Sequence, residues 1–282
     1  MKQTIRSIGT VVILGLYLLP WESAARPGRL KTPPEAMPSQ EDLEFQAMVR
    51  DLQSPDPEVV IFSVQMLGLS GRAEAVPPLV ELLRRGPRDD ITNMTLDTLG
   101  ALGRPEAVDT LLPYLRHRRP DARLAALNAL SGIDAPEITR AIEDRLRDSD
   151  PDVRAAAATA LGTRGDKESV VLLFRAFDLS VNEAAIAIGK RGADPDALRL
   201  LEYLGKINIR ILLPGLREFA LRADIDQKTK LHILNQLYEL AGPDVRRFAI
   251  ELRDALNPTR EKSQDDPILK MLDRMVQEIA GE

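Results

Sequence analysis

The 282-residue chain carries a formal charge of −5 and a sequence pI near 5.4, and it is 44% hydrophobic but only 4% aromatic. That balance argues against a dedicated nucleic-acid binder, whose phosphate contacts need clustered Lys and Arg. The absence of Cys excludes disulfides, thiolate metal sites, a cysteine nucleophile and a lipid-modified N-terminal cysteine.

Lys2 and Arg6 precede an apolar run from Ile8 to Leu19, which is followed by Pro20, Trp21 and the small residues Ser23, Ala24 and Ala25. A basic start, a short apolar stretch and a small-x-small site form the pattern of a secretory signal. The apolar run is about a dozen residues, shorter than the roughly 20 needed to cross a hydrocarbon core. Residues 1–25 are therefore expected to be cleaved, which places the protein in the periplasm or outside the cell with no stable membrane insertion. The alternative is an uncleaved segment that anchors it to a membrane. Residues 26–38, with Pro27, Pro33, Pro34 and Pro38, read as an extended linker.

Ser39 to Leu52 reads as a capping helix, opened by Ser39 and Asp42 as a capping box. After it the chain repeats itself. Asp56-Pro57-Glu58-Val59 aligns with Asp150-Pro151-Asp152-Val153, and an offset of 94 holds through Leu67-Gly68 against Leu161-Gly162, Gly71 against Gly165 and Val76 against Val170. Intermediate copies fall between them. Leu99, Gly100, Gly103, Val108, Leu111 and Leu115 follow the first at an offset of 32, and Pro120-Asp121-Ala122-Arg123 precedes Pro151-Asp152-Val153-Arg154 by 31. A period near 31 is that of a helical solenoid.

Each unit has the same grammar. An Asp or Pro opens a first helix, as in Asp150-Pro151, by satisfying or removing free amide groups. Apolar residues follow at helical spacing, such as Val153, Ala156, Ala157, Ala160 and Leu161. A glycine (Gly71, Gly103, Gly132, Gly165 or Gly192) is expected to end the helix in the left-handed conformation. A second helix carries a stripe such as Val170, Leu173, Phe174 and Phe177, or Val108, Leu111, Leu112 and Leu115. Neither helix can bury its stripe alone, so the units must stack.

The run Asp150-Pro-Asp-Val-Arg-Ala-Ala-Ala-Ala-Thr-Ala-Leu-Gly, followed by Glu168-Ser-Val-Val-Leu-Leu, resembles the HEAT-like repeat of the phycobilisome-lyase type, clearly over about residues 56–192. The resemblance implies an all-α superhelical solenoid of about six to seven helical hairpins, spanning residues 39–256 with the capping helix. It does not fix a function, because such repeats serve scaffolds, transport receptors and bilin lyases alike.

Beyond Gly192 the register loosens. Asp194 to Leu204 still resembles a second helix, while Pro214-Gly215 is expected to break or kink any helix that contains it. Gln227 to Leu240 and Pro243 to Leu256 read as one helical hairpin around Ala241-Gly242. Residues 257–266 read as a flexible linker. Residues 267–282 form an amphipathic helix with Ile268, Leu272, Met275, Val276 and Ile279 on one face, suited to capping the stack.

No motif for chemistry stands out. His117 and His232 are the only histidines, and neither has a carboxylate at metal-ligand spacing. The histidine–glutamate pairs of iron-binding HEAT hydroxylases are missing, and no phosphate loop or nucleophile elbow appears. The runs Leu-Gly-Leu-Ser-Gly and Leu-Gly-Ala-Leu-Gly read as helix stops recurring at the repeat period and not as nucleotide loops, and Asn93-Met94-Thr95 is a glycosylation sequon on paper only. No cofactor or metal is expected.

One pattern remains. Arg84, Arg116 and Arg147 occupy the position after the last core residue of three successive second helices, flanked by Arg85, His117, Arg118 and Arg119. Arg84, Arg116, His117, Arg119 and Arg147 are thus the candidate partner-binding stripe, since guanidinium suits bidentate pairing with carboxylates. Cations near helix C-termini are also favoured by the backbone dipole alone. The reading is an exported, non-catalytic adaptor that binds a protein or peptide on its concave face. The alternative is a lyase-like or chromophore-handling enzyme built on the same repeat.

Overall fold

The computed structural model describes residues 39–258 and 265–279, so the expected signal segment, the linker at 26–38 and most of the linker at 257–266 lie outside the described residues. The chain divides into two units, residues 1–43 and 44–282. Of the first, residues 39–43 are described. There Ser39 Oγ accepts the Asp42 amide at 3.1 Å, and the Asp42 carboxylate accepts the Ser39 amide at 3.3 Å, so the capping box is formed.

Every regular element among the described residues is helical. The box opens α1 (Gln40–Asp51). There follow α2 (Pro57–Leu69), α3 (Val76–Arg84), α4 (Asp89–Leu102), α5 (Val108–Leu111), α6 (Pro120–Ser131), α7 (Pro136–Glu143) and α8 (Pro151–Arg164). The remainder are α9 (Lys167–Asp178), α10 (Ala184–Arg191), α11 (Asp194–Leu201), α12 (Ile209–Leu221), α13 (Gln227–Leu240), α14 (Pro243–Leu256) and α15 (Pro267–Glu278).

The even-numbered helices from α2 to α14 pack each on the next and form one row. The odd-numbered helices from α3 form the other row, with α11 on α13 and α13 on α15, giving seven hairpins among the described residues. One apolar core runs between the rows from Leu52 to Ile279, and Leu67, Leu99 and Leu161 lie fully buried in it. Truncating any of these to Ala removes methyl groups that the stack cannot refill, a loss of about 2–5 kcal/mol.

Local chemistry explains the helix starts. Asp56 caps α2 by accepting the Glu58 amide at 3.0 Å, and Asp150 caps α8 through the amides of Asp152 and Val153. Proline stands at the first turn of both helices, where its missing N–H removes no helical bond. In the second row, Pro113 cannot donate to Asp109, and the chain after α5 tightens into a 3₁₀ turn at Leu112–Arg116.

Three sequence expectations change. Gly71 and Gly103 do take positive φ, at 63° and 62°, but Gly132, Gly165 and Gly192 do not. Gly165 and Gly192 are crowded instead: a Cβ would lie 2.5 Å from Leu161 O in the first and 2.8 Å from both Ile188 O and Phe219 Cζ in the second. The runs Leu67-Gly68-Leu69-Ser70-Gly71 and Leu99-Gly100-Ala101-Leu102-Gly103 do stop α2 and α4, at their second glycines, while Gly68, Gly100 and Gly162 lie inside α2, α4 and α8. There they let the next first-row helix approach, and a Cβ on Gly100 would meet Ala129 Cα at 2.4 Å.

Pro214-Gly215 does not break α12, which runs from Ile209 through to Leu221. An internal proline costs about 3 kcal/mol. Against it stand the buried Leu212, Leu216 and Phe219, each contributing about 1.5–3 kcal/mol. Gly215 meanwhile lies so close to α10 that a Cβ would sit 2.2 Å from Ala185 O. Finally, α13 and α14 do not form one repeat. α13 stacks in the second row between α11 and α15, α14 stacks in the first row on α12, and the turn at Ala241-Gly242 joins two repeats.

Candidate partner-binding surface

The ends of the second-row helices are tied layer to layer. Tyr114 Oη donates to Leu83 O at 3.5 Å, Arg145 Nη1 donates to Leu115 O at 2.9 Å, and Tyr203 Oη donates to Asp178 Oδ1. Leu83 and Leu115 stand directly before Arg84 and Arg116, just as the buried Leu146 and Phe177 stand directly before Arg147 and Asp178. Arg84, Arg116 and Arg147 therefore occupy equivalent places in three consecutive layers, and Asp178 occupies the fourth. Aspartate at the fourth place ends the run of arginines, a boundary that can be read in the sequence once the core positions Leu83, Leu115, Leu146 and Phe177 are aligned.

All three arginines are exposed. Arg84 comes within 3.9 Å of Glu81 on its own helix, whereas Arg116 and Arg147 have no hydrogen bond or ion pair to any described residue. The two flanking members of the predicted stripe are engaged elsewhere. Arg119 is only 19% exposed in its side chain and pairs with Asp89 at 3.2 Å and Asp121 at 2.8 Å. His117 stacks on Tyr114, with ring centroids 5.7 Å apart, and its Nδ1 accepts the Arg119 amide at 3.3 Å. Both shape the turn into α6.

Next to Arg147 lies a concavity of about 150 Å³ that periodicity alone did not reveal. Arg140, Glu143, Asp144 and Arg147 line one side, from α7 and the 3₁₀ turn after it; Leu172, Arg175 and Leu179 line the other, from α9 and its C-terminal end. Arg140 and Arg175 are exposed and, like Arg147, have no partner among the described residues. Glu143 is turned inward, its Oε1 accepting the Ser169 hydroxyl at 2.5 Å.

Other arginines are engaged within the stack. Arg123 is buried and forks onto Asp148, with Nη2–Oδ1 at 2.6 Å and Nε–Oδ2 at 3.0 Å, and Arg145 adds a contact to Asp148 at 3.5 Å. Burial raises the Asp148 carboxyl, but the Arg123 hydrogen bonds, the Asp150 amide and the charges of Arg123 and Arg145 outweigh it and hold the group below its ordinary range. At the C-terminal ends of the first-row helices a second series of arginines donates backwards to the preceding layer. Arg104 reaches Gly71 O, Arg164 reaches the carbonyls of Leu130, Ser131, Ile133 and Ala135, Arg191 reaches Thr163 O, and Arg222 reaches Gly189 O and Gly192 O. Leu130, Ser131, Thr163 and Gly189 are among the last residues of their helices, whose carbonyls lack a helical partner, while Gly71, Ile133, Ala135 and Gly192 lie just beyond the helix ends.

Among the described residues no three His, Asp or Glu side chains converge as metal ligands, and no helix is long and apolar enough to cross a membrane.

Residues 45–131, 108–183 and 139–206 match the model of HEAT repeats. No curated protein matches the chain. Among known structures it is similar to a homology model of the full-length AP-3 complex in an intermediate open conformation, with 14% identity over 83% of this chain and 47% of that one and a TM-score of 0.58. It is also similar to the complex of CpcE and CpcF of phycocyanin lyase from Nostoc sp. PCC7120, with 19% identity over 82% of this chain and 99% of that one and a TM-score of 0.46. A designed armadillo repeat protein in complex with the peptide (KR)4 matches at 17% identity over 76% of this chain and all of that one, TM-score 0.42. At these identities the likeness is one of fold.

Proposed function

We propose that this chain, which belongs to the HEAT repeat family, is an exported scaffold or adaptor that holds a protein or peptide partner along the exposed ends of its second-row helices. It acts by binding, not by catalysis. The observation that carries this reading is the column Arg84, Arg116 and Arg147, repeated layer by layer and left exposed while most neighbouring arginines are engaged. A side chain needed only to complement a helix end would gain by reaching the carbonyls, as Arg164 does. Repeat proteins bind through many weak, regularly spaced contacts summed over an extended surface, and a column of exposed guanidiniums offers such contacts to carboxylates.

Export rests on the basic, apolar and small-residue pattern of residues 1–25. The intact mass of the native protein tests it: a mass lacking those residues supports export, and a full-length mass found in the cytoplasm refutes it. Binding is tested by capture from an envelope extract with the purified chain as bait. A reproducible partner, with recovery reduced at least tenfold when Arg84, Arg116 and Arg147 are all changed to Glu, is the expected result. Unchanged recovery by that variant removes the column from the interface.

A further inference from the structure

The concavity between α7 and α9 goes beyond a positive patch because its two walls differ in kind. Arg175 on α9 and Leu179 at its C-terminal cap belong to one wall with Leu172 and Ala176, and Leu179 is 68% exposed. Opposite them Arg140 and Arg147 stand seven residues apart on the same side of α7 and its following turn. Three guanidiniums without partners thus line the concavity together with the apolar Leu146, Leu172, Ala176 and Leu179. A volume near 150 Å³ is that of a cavity able to hold a benzene-sized group, which is one apolar side chain. It is too small for a nucleotide.

We propose that this concavity seats one bulky apolar side chain of a partner peptide, flanked by acidic residues whose carboxylates pair with Arg140, Arg147 and Arg175. The proposal rests on the partner-binding reading above and assigns the chemistry of the bound segment. A second concavity of the molecule supplies the internal control. It too is lined by three arginines, Arg210, Arg217 and Arg247, between α12 and α14, but there Asp244 already pairs with Arg210 at 2.8 Å and Arg247 at 2.6 Å.

The test uses the full chain and fluorescein-labelled dodecapeptides read by anisotropy. One peptide carries Leu flanked by Glu, a second replaces Glu by Gln, a third replaces Leu by Ser, and an oligothymidylate of equal charge stands for polyanions. Expected is binding of the Glu-Leu peptide, weakened at least tenfold by Gln, by Ser, and by Arg147→Glu or Arg175→Glu, with Arg247→Glu within twofold of the parent. Arg147→Gln, expected to weaken binding by a smaller factor, shows that loss of the guanidinium suffices without a new repulsion. The proposal is overturned if the Glu-Leu peptide does not bind, if the Ser peptide or the oligothymidylate binds equally well, or if Arg247→Glu weakens binding as much as Arg147→Glu. Because the envelope-capture experiment is separate, a partner recovered there by a chain that ignores all the peptides refutes this assignment and leaves the scaffold reading standing.

Discussion

The two rows of the stack treat the same side chain in opposite ways. At the C-terminal ends of the first row, Arg164, Arg191 and Arg222 fold back onto carbonyls of the preceding layer. At the corresponding ends of the second row, Arg116 and Arg147 point outward without partners among the described residues, and the carbonyl of Leu115 is taken by a different arginine, Arg145. Sequence position relative to a helix end is alike in both rows, so the backbone dipole alone does not decide where a guanidinium goes. What differs is reach. The first-row arginines lie one layer from a helix terminus whose carbonyls converge, while the second-row termini are already closed by Tyr114, Arg145 and 3₁₀ turns.

This contrast can be tested at positions of decreasing consequence. The largest effect belongs to the buried pair. Asp148→Ala leaves the Arg123 guanidinium buried without its carboxylate, and a loss of about 3–5 kcal/mol is expected in urea unfolding. Arg164→Ala removes a charged donor from four carbonyls, and about 2 kcal/mol should be lost; a change as small as that of a surface residue would show that the first-row arginines do not clamp the layers. Acid should act through the same buried pair. Because folding lowers the Asp148 carboxyl, its contribution is complete above the ordinary carboxylate range near ~4 and disappears as pH falls through the lowered folded value. Unfolding midpoints measured from pH 7 down to 2 should accordingly converge between the parent and Asp148→Asn at the acid end. Smallest is Arg147→Ala, within about 0.5 kcal/mol of the parent in stability while partner recovery drops. If Arg147→Ala instead destabilises the chain as much as Arg164→Ala, the two rows are not different and the column is structural.

Much of the architecture could be read from the residues because a solenoid writes its period into the chain. The offsets that align Leu67, Leu99 and Leu161 are the layer spacings, and these leucines are buried as that spacing requires. The column was legible for the same reason. The fate of Arg119 and His117 was not, since each is settled by partners such as Asp89 and Tyr114 whose approach depends on the turn between α5 and α6. Arg140 and Arg175 escaped because their neighbourhood crosses from one repeat to the next, and no single-helix pattern joins them. The shifted phase of α13 and α14 has a similar origin: two well-formed helices around Ala241-Gly242 look self-sufficient locally, and only the packing of α15 on both assigns them to different repeats. Pro214 misled because its cost is visible in sequence, whereas the burial that offsets it is not.

Gly100 gives the column a remote adjustment. It lies in the first row, at a joint where α4 and α6 meet almost backbone to backbone and where no arginine reaches from the end of α6 to the layer before. That joint separates the layer holding Arg116 from the layer holding Arg147. A side chain placed there would act as a shim, prying the two layers apart and widening the gap between those guanidiniums without touching either. A ligand that must bridge them would sense a single methyl group on the far row.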